Sequence, residues 1–422
     1  MGGQSKEKGG SLRLELTRLE RGWILYDVGN SAFILLVSTI IPIYFNQLAS
    51  QAGLSKVRYL AYWGYGVSVS TVLVALIGPV LGTMADRKDR KKPLFAACLT
   101  VGAIGCGAMA FPASWQGFLG VFILAKVGYN ASLIFYDAML TDITTPERFD
   151  QISSQGYAWG YIGSCIPFVL SLVLVLLRGP LQLSMKTAMM LAFFLNSAWW
   201  ALLSIPLLKG YRQEHYVEVT AHPVRASFKR LAGTLRDIRG QKKIFLYLLS
   251  FFFFIDGVYT IIEMATAYGS ALGLEQSQLL LALLLTQVVA FPCALLFAKV
   301  SKRYATERLL KIAILAYVGI SVFAIGLDAQ WKFWVLAVLV GMFQGAIQAL
   351  SRSYFAKIIP SDRAGEYFGI YDICGKGASF LGTTLVGLVA QLTGRANAGV
   401  AMLTVLFVVG YVLFGKAAGM EG

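Results

Sequence analysis

Polar and charged side chains interrupt several long apolar stretches of this sequence, and their spacing indicates binding chemistry rather than bond-breaking chemistry. Asp27, Asn30 and Ser31 stand at i, i+3 and i+4, so a helix would present all three on one face. Asp256 and Glu263 are seven residues apart and would also share a face. A charged side chain at the centre of a membrane helix costs at least about 2.5–3.5 kcal/mol on insertion scales. Such residues are therefore the default candidates for binding an ion or a solute.

Lysine and amide side chains extend this set of candidates. Lys126 lies near the middle of an apolar run, with Asn130 about one helical turn further on. Asp372 and Lys376 are an i, i+4 pair, which is either a self-neutralising ion pair or part of a site. For Asp27 the alternative is an interfacial helix start, at which the carboxylate caps its own first turn. The residues expected to line a solute or coupling-ion path are Asp27, Asn30, Lys126, Asn130, Asp256, Glu263, Gln348 and Lys376.

The overall composition places the chain in a membrane. Of its 422 residues, 57% are hydrophobic and 14% are charged, whereas charged residues make up about a quarter of a typical soluble domain. The mean hydropathy is +0.65. The apolar residues occur in runs of helical length, rather than in the alternating strands of about ten residues that build an outer-membrane barrel. We therefore predict an all-α integral membrane protein.

Twelve apolar runs are long enough to be transmembrane helices, and a basic segment divides them into two sets of six. The first set lies within residues 22–208 and the second within 244–416, with the basic segment at 209–243 between them. Residues 1–21 are predicted to form an amphipathic cytoplasmic segment, and residues 417–422 a short cytoplasmic tail. The predicted architecture is therefore two six-helix halves joined by a cytoplasmic linker.

Short sequence echoes relate the two halves. Pro-Glu-Arg at 146–148 follows the fourth run, and Pro-Ser-Asp-Arg at 360–363 follows the tenth. Each is followed by a glycine early in the next run, which would permit close helix packing. The first run carries Asp-Val-Gly-Asn-Ser at 27–31, and the seventh carries Asp-Gly-Val-Tyr-Thr at 256–260. We therefore predict that the two halves are pseudo-symmetric.

The positions of the basic residues predict the orientation of the chain. The formal net charge is +15, from 37 basic and 22 acidic residues. The basic residues cluster in alternate loops, which is the positive-inside pattern of membrane proteins, and the opposite loops are short and nearly uncharged. This charge therefore orients the helices and does not indicate a nucleic-acid partner. Both termini are predicted to be cytoplasmic, in a multi-pass protein of the inner (cytoplasmic) membrane.

Signatures of enzymes and of metal sites are missing from the sequence. The five cysteines lie within or beside apolar runs and form no CxxC pair, which is typical of packing residues. The two histidines, His215 and His222, stand in the basic linker with no cysteine nearby, so a metal site is not predicted. The sequence contains no Walker loop, nucleophile elbow or HExxH motif. We therefore predict neither an enzyme nor a cofactor-binding protein.

A glycine, an aspartate and a basic cluster end the second apolar run. Gly82 is followed by Asp86, Arg87 and Arg90. This arrangement resembles the signature loop between helices 2 and 3 of the major facilitator superfamily. In that superfamily the aspartate is thought to fasten the cytoplasmic ends of the two halves in the outward-open state, so the resemblance implies a conformational latch formed by these four residues. Asp89 stands where a glycine is common, so a tight or strained turn is expected.

Longer motifs narrow the resemblance. The stretch WILYDVGNSAF at 23–33, the stretch GMFQGAIQALSRSY at 341–354 and the tetrapeptide FYDA at 135–138 are similar to the UMF1/Atg22-like branch of the superfamily. The likeness covers essentially all twelve runs. The sequence departs from the family pattern at Val28, usually an aromatic residue, at Asp137, usually Asn, and at Tyr259, usually a polar residue. The eukaryotic branch is associated with the release of amino acids from the vacuole.

These features together predict a secondary transporter that moves a small organic solute by alternating access. Because the runs offer both cations and carboxylates, an amino acid or another zwitterion is the first candidate solute, and the family resemblance points the same way. An organic anion or a lipid-like solute is the alternative within transport, and a non-transporting membrane receptor or scaffold is the alternative class. We expect a monomer in the lipid bilayer that binds its solute, with a proton or a cation as coupling ion.

The predicted orientation can be tested at the linker. A cysteine introduced at Ser227, in a background without the native cysteines, should resist membrane-impermeant thiol reagents in intact cells, because the linker has the densest basic charge of the chain. Permeabilised cells provide the control, in which the same cysteine should react. Labelling from outside intact cells would reverse the orientation of every predicted span.

Overall fold

The structure is a computed structural model that describes residues 15–218, 233–234, 236–271 and 275–420. In these ranges the chain is helical, apart from turns, connecting segments and one isolated β-bridge. The helices are α1 Arg18–Ser38, α2 Ile40–Gln51, α3 Lys56–Ala85, α4 Lys91–Ala108, α5 Trp115–Ala138, α6 Leu140–Ile143, α7 Phe149–Leu176, α8 Met185–Gly210, α9 Lys242–Ala271, α10 Gln276–Val300, α11 Thr306–Ile325, α12 Gln330–Ile358, α13 Ala364–Thr393 and α14 Ala396–Ala418.

The first membrane helix begins with a capping box. The Thr17 hydroxyl accepts a hydrogen bond from the Glu20 N–H, and the Glu20 carboxylate accepts one from the Thr17 N–H. Helix α1 therefore starts at Arg18, and residues 18–21 of the predicted amphipathic segment form its first turn. The helix breaks at Thr39, close to Pro42, which cannot donate a backbone hydrogen bond. Helices α1 and α2 together form one segment, 18–51, that is long and apolar enough to cross a membrane.

Eleven segments of the described chain are helices long and apolar enough to cross a membrane. The remaining predicted run forms α4, which has 18 residues and begins with two lysines. It packs against α5 and α8, in the place of a third membrane helix. The predicted all-α membrane fold is confirmed, because every predicted run is helical in the described residues.

The helices pack as two groups that meet along one interface. In the first half α1 packs on α7 and α8, and in the second half α9 packs on α13 and α14. The halves meet where α3 and α5 contact α13 and where α7 contacts α10 and α12. We call this interface the seam. The end of the bundle that carries the α3–α4 loop and the starts of α7 and α13 is called the latch end.

The echoes between the halves correspond to equivalent structures. The stretches Pro146–Arg148 and Ser361–Arg363 are both single 3₁₀ turns that lead directly into a long helix. In the first half, a side chain at Gly156 of α7 would lie 2.8 Å from the Asp27 carboxylate of α1. In the second half, a side chain at Gly382 of α13 would lie 2.3 Å from the Asp256 carboxylate of α9. In each half a glycine makes room for an aspartate on the neighbouring helix.

The loop after α3 contains the strained turn that the sequence indicates. Asp89 has φ 58°, in the left-handed region that side chains other than glycine disfavour. The residue is exposed, so the strain is not relieved by burial of its side chain.

Replacement of Asp89 should raise or lower the free energy of unfolding according to how well the new residue tolerates a positive φ. Asp89→Gly should raise the free energy of unfolding by up to about 1 kcal/mol, because glycine adopts positive φ without steric cost. Asp89→Ala should lower it, because alanine has no polar side chain to favour this conformation. Thermal unfolding of the purified protein in detergent measures both. If the glycine variant melted below the alanine variant, the turn would not limit stability.

Candidate functional site

A buried arginine of the second half contacts carboxylates of the first. Arg352 of α12 has a side chain that is 3% exposed. Its Nη1 lies 3.0 Å from Oδ1 of Asp137, and its Nη2 lies 3.7 Å from Oδ2 of Asp27. The Nε donates to the Ser153 hydroxyl at 2.9 Å, and Nη2 donates to the Ser153 carbonyl at 3.1 Å. One guanidinium thus contacts three helices of the first half, α1, α5 and α7.

Aromatic rings enclose the same guanidinium. Its central carbon lies 4.5 Å from the ring centroid of Trp23, 4.5 Å from that of Tyr157 and 5.3 Å from that of Tyr136. The Trp23 and Tyr136 rings stack at 4.3 Å, and the Trp23 indole donates to the Tyr136 carbonyl at 2.9 Å. A cation between aromatic faces gains quadrupole attraction that increases when water is excluded. We call Arg352, its two carboxylates and these three rings the arginine cluster.

The arginine cluster has more negative than positive charge. Asp27 and Asp137 each bring a carboxylate, and Arg352 brings one guanidinium that stays charged in proteins. The Asn30 amide also lies 3.4 Å from Oδ1 of Asp27. An unbalanced charge in an apolar interior costs several kcal/mol. The arrangement therefore favours a proton or a bound cation in addition to the arginine.

The predicted latch residues meet the start of a helix in the other half. The Asp86 carboxylate accepts hydrogen bonds from the backbone N–H groups of Gly365, at 2.7 Å, and Glu366, at 2.9 Å. These groups belong to the first turn of α13, where the positive end of the helix dipole favours a carboxylate. Gly82 permits this approach, because a Cβ atom there would lie 2.1 Å from the Gly365 carbonyl oxygen.

A second carboxylate crosses the seam at the same end. Asp150, in the first turn of α7, accepts hydrogen bonds from Ser353 at 2.5 Å, Thr306 at 2.6 Å and Lys357 at 2.7 Å. All three partners lie in the second half. The latch end is thus closed by two carboxylates, one directly after α3 and one in α7.

The signature loop also contacts the linker. Arg90 is exposed, and Arg87 is half-buried. The backbone around Arg87 pairs with the linker through the Val217 N–H, which donates to the Asp86 carbonyl at 2.7 Å.

Three predicted path residues lie along the seam, nearer the middle of the helices. Lys376 forms an ion pair with Asp372 on its own helix, as the i, i+4 spacing indicates. Its Nζ also donates to the Asn130 carbonyl of α5 at 3.3 Å, which joins the two halves. Gln348 of α12 lies 3.4 Å from the Tyr161 hydroxyl of α7.

Of the other predicted path residues, Lys126 lies on α5, a helix of the seam, and Asp256 and Glu263 lie on α9. Asp256 is fully buried and accepts hydrogen bonds from the Gly382 N–H at 2.9 Å and from Thr260 at 3.4 Å. Lys126 is half-buried, with Nζ 5.9 Å from the centroid of the Phe122 ring. The side chain of Glu263 lies outside the described part of the chain.

Sequence reasoning missed four residues of the seam as site residues: Asp137, Asp150, Ser153 and Arg352. Arg352 lies six residues before the end of α12, at Ile358, where an arginine ordinarily reaches water. The available signal was the pairing of a charged residue with small residues in Ser351-Arg352-Ser353, which is typical of a helix packed against others.

A charged network outside the spans ties the linker to the first half. Asp142 accepts hydrogen bonds from Lys91 Nζ at 2.9 Å, from the His215 N–H at 2.9 Å and from the Tyr211 hydroxyl. Both side chains of the Lys91–Asp142 pair are fully buried. Burial raises the pKa of Asp142, but the Lys91 charge and these hydrogen bonds outweigh it and hold the pKa below its ordinary value.

Comparison with known proteins identifies the family. The family described as "Vacuole effluxer Atg22 like" matches residues 17–418. The chain belongs to this Atg22-like family. It is 41% identical to the "Uncharacterized MFS-type transporter YxiO" of Bacillus subtilis over 94% of both chains. It is 27% identical to "Autophagy-related protein 22" of Cryptococcus neoformans over 64% of this chain and 53% of that protein.

Solved structures show the same fold. FucP, a major facilitator superfamily transporter in the outward conformation, matches with a TM-score of 0.72 at 14% identity, over 96% of this chain and 98% of that one. The human organic anion transporter MFSD10 matches with a TM-score of 0.68 at 15% identity, over 94% and 98% of the two chains. The chain therefore has the major facilitator fold. Together with the family match and the 41% identical MFS-type relative, this fold makes it a multi-pass membrane transporter rather than an enzyme.

The Asp86 contact gives a test of the latch in this Atg22-like transporter. Asp86→Asn weakens a contact made in one conformation, so the population should shift toward the state that is open at the latch end. Thiol reagents should then react faster with Ala349→Cys, which replaces a fully buried seam residue, in a background without native cysteines. Asp89→Asn is the matched control, since it neutralises an exposed charge of the same loop. Equal reactivity in all three backgrounds would remove the latch role.

The Asp142 network predicts a pH-dependent loss of stability. Asp142→Asn should lower the free energy of unfolding by about 3–5 kcal/mol at neutral pH, because it leaves Lys91 buried without a counter-charge. A depressed carboxyl pKa stabilises the fold above the ordinary value near 4, and this stabilisation is lost as pH falls through the folded-state pKa.

Thermal unfolding in detergent from neutral to acidic pH measures this difference. The parent and the asparagine variant should converge in acid, and Lys91→Met combined with Asp142→Asn should recover most of the loss. A difference that stays constant into acid would contradict the assignment.

Proposed function

We propose that this Atg22-like chain is a secondary active transporter for a small zwitterionic solute, with an amino acid as first candidate, and that it works by alternating access. The observation that carries this proposal is the arginine cluster. Arg352 of one half faces Asp27 and Asp137 of the other at the surface along which the halves must separate. A zwitterionic solute could replace these partners, because its carboxylate can bind the guanidinium and its ammonium group can bind the two aspartates.

The solute path in this proposal runs through the middle of the seam. Lys126 lies 12 residues from the end of α5 at Ala138, and Lys376 lies 12 residues from the start of α13 at Ala364. Both are therefore about 18 Å from the latch end at about 1.5 Å per residue, close to the midplane of a 30 Å hydrocarbon core. These lysines would bind the solute carboxylate.

The solute ammonium group would be bound by carboxylates and amides of the same path. Asp27, Asn30, Asn130, Asp256, Glu263 and Gln348 complete the proposed set. Asp27 belongs to both the path and the arginine cluster, so binding of a cationic group at Asp27 would weaken its attraction for Arg352. This competition supplies a physical link between solute binding and separation of the halves.

The orientation in this proposal places the latch end in the cytoplasm, together with both termini. The Asp86 and Asp150 contacts close that end, which supports an outward-facing state. The unbalanced carboxylate of the arginine cluster supports coupling to a proton or a cation. The transporter would function as a monomer in the cytoplasmic membrane, since one chain supplies both halves of the seam.

An organic anion is a second candidate solute, because aromatic rings surround the arginine. Trp23, Tyr136 and Tyr157 would stack on a planar anion bound at Arg352. The human structural neighbour MFSD10 is described as an organic anion transporter. The two candidates differ in charge, so a solute panel separates them.

Reconstituted transport tests the proposal. Proteoliposomes containing the purified chain should take up labelled amino acids against a concentration gradient when a proton or sodium gradient is imposed. Arg352→Gln should abolish uptake, and Arg352→Lys should reduce it by at least tenfold, since lysine cannot reproduce the forked contacts to Asp137 and Ser153.

The matched control is Arg308→Gln, which removes an exposed arginine of the same half. This variant should transport at the parent rate. Uptake of anions without any uptake of zwitterions would favour the second candidate. Normal transport by Arg352→Gln would exclude the arginine cluster from the mechanism.

A further inference from the structure

A crevice opens at the latch end of the second half. It has a volume of about 680 Å³ and lies between the linker and the first parts of α9 and α13. Its lining residues are Arg236, Ile238, Arg239, Phe245, Leu248, Leu249, Phe252, Ile370 and Cys374. None of them belongs to the proposed solute path.

The walls of the crevice are apolar and run inward along two helices. Phe245 and Leu249 of α9 are 42% and 36% exposed, and Ile370 of α13 forms a buried base. The wall from Phe245 to Phe252 spans seven residues, or about 10 Å of helix. A surface of this kind at a membrane boundary fits an acyl chain, which lies parallel to the helices.

The mouth of the crevice is cationic. Arg236 and Arg239 lie in the linker just before α9, and both are exposed. Within the described ranges neither arginine has an ion-pair partner, although Asp237 between them pairs with Arg363 at 3.4 Å. Two neighbouring guanidinium groups can each form forked hydrogen bonds to a phosphate. Basic groups beside a transmembrane helix attract anionic lipid head groups.

We propose that this crevice binds one anionic phospholipid, with its phosphate on Arg236 and Arg239 and an acyl chain along α9. A free phosphate would satisfy the arginines but leave the apolar wall uncovered. A zwitterionic phospholipid would bring its own cation to a mouth that is already positive. The combination of charge and apolar wall therefore selects a lipid with net negative charge.

The lipid would also act on the latch, because the linker is joined to the start of α13. The Thr234 hydroxyl, two residues before Arg236, donates to the Glu366 carboxylate and accepts from Arg363. Glu366 in turn provides one of the two backbone N–H groups that bind Asp86. A lipid that holds the linker against α9 and α13 would therefore favour the closed latch.

Thermal unfolding of the full chain in detergent tests the binding. Phosphatidylglycerol should raise the melting temperature by several degrees, whereas phosphatidylcholine and soluble glycerol 3-phosphate should not. Arg236→Gln with Arg239→Gln should remove the phosphatidylglycerol shift, and Arg236→Lys with Arg239→Lys should retain part of it. Arg303→Gln with Arg308→Gln is the matched control, since both arginines are exposed at the latch end.

Native mass spectrometry provides the second measurement. The parent should retain one phosphatidylglycerol molecule more strongly than the glutamine double variant does. Melting temperatures without added lipid show whether each variant is folded. A phosphatidylglycerol shift that is equal in the glutamine variant and the parent would overturn the proposal, as would an equal shift with phosphatidylcholine. A shift with glycerol 3-phosphate alone would indicate a phosphate site and also overturn it.

Discussion

A guanidinium buried between two halves of a membrane protein needs partners for its charge in every conformation that the halves adopt. In the closed latch end, Arg352 meets this requirement with Asp27, Asp137 and three aromatic rings. Separation of the halves removes these partners, at a cost of several kcal/mol unless water, a proton or a solute replaces them. In the proposed mechanism this constraint makes the seam a two-state element, because the charge is stable when fully paired or fully hydrated and costly in between.

The pseudo-symmetry of the chain explains where close contacts are possible. Glycines stand opposite Asp27 and Asp256, and Gly82 stands opposite the start of α13, so that carboxylates reach neighbouring helices without displacing them. The two closing carboxylates at the latch end are related in role but not in chemistry. Asp86 binds backbone N–H groups of a helix start, whereas Asp150 binds a lysine and two hydroxyl groups. Because the two carboxylates have different partners, a substitution can weaken the Asp86 contact without changing the groups that bind Asp150, and the reverse also holds.

The sequence predicts the fold well, because a helix that crosses hydrocarbon requires a continuous apolar run, and such a run is visible locally. Asp86 could also be predicted as a site residue, because its glycine, its carboxylate and the basic residues occur in one short motif. The arginine cluster could not be predicted from the sequence. Arg352 and Asp137 are 215 residues apart and each lies near a helix end, so neither looks costly on its own. That end of α12 is buried only because the two halves pack against each other.

The central claim is that the contacts of Arg352 hold the two halves together in this closed state, alongside those of Asp86 and Asp150, and a distance across the latch end tests it most directly. Spin labels at Glu147 and Asp362, exposed residues of the equivalent 3₁₀ turns in the two halves, report the separation by double electron–electron resonance. The parent in lipid nanodiscs should show a dominant short distance, and Arg352→Gln should move most of the distribution to longer distances. An unchanged distribution in the variant would contradict the claim.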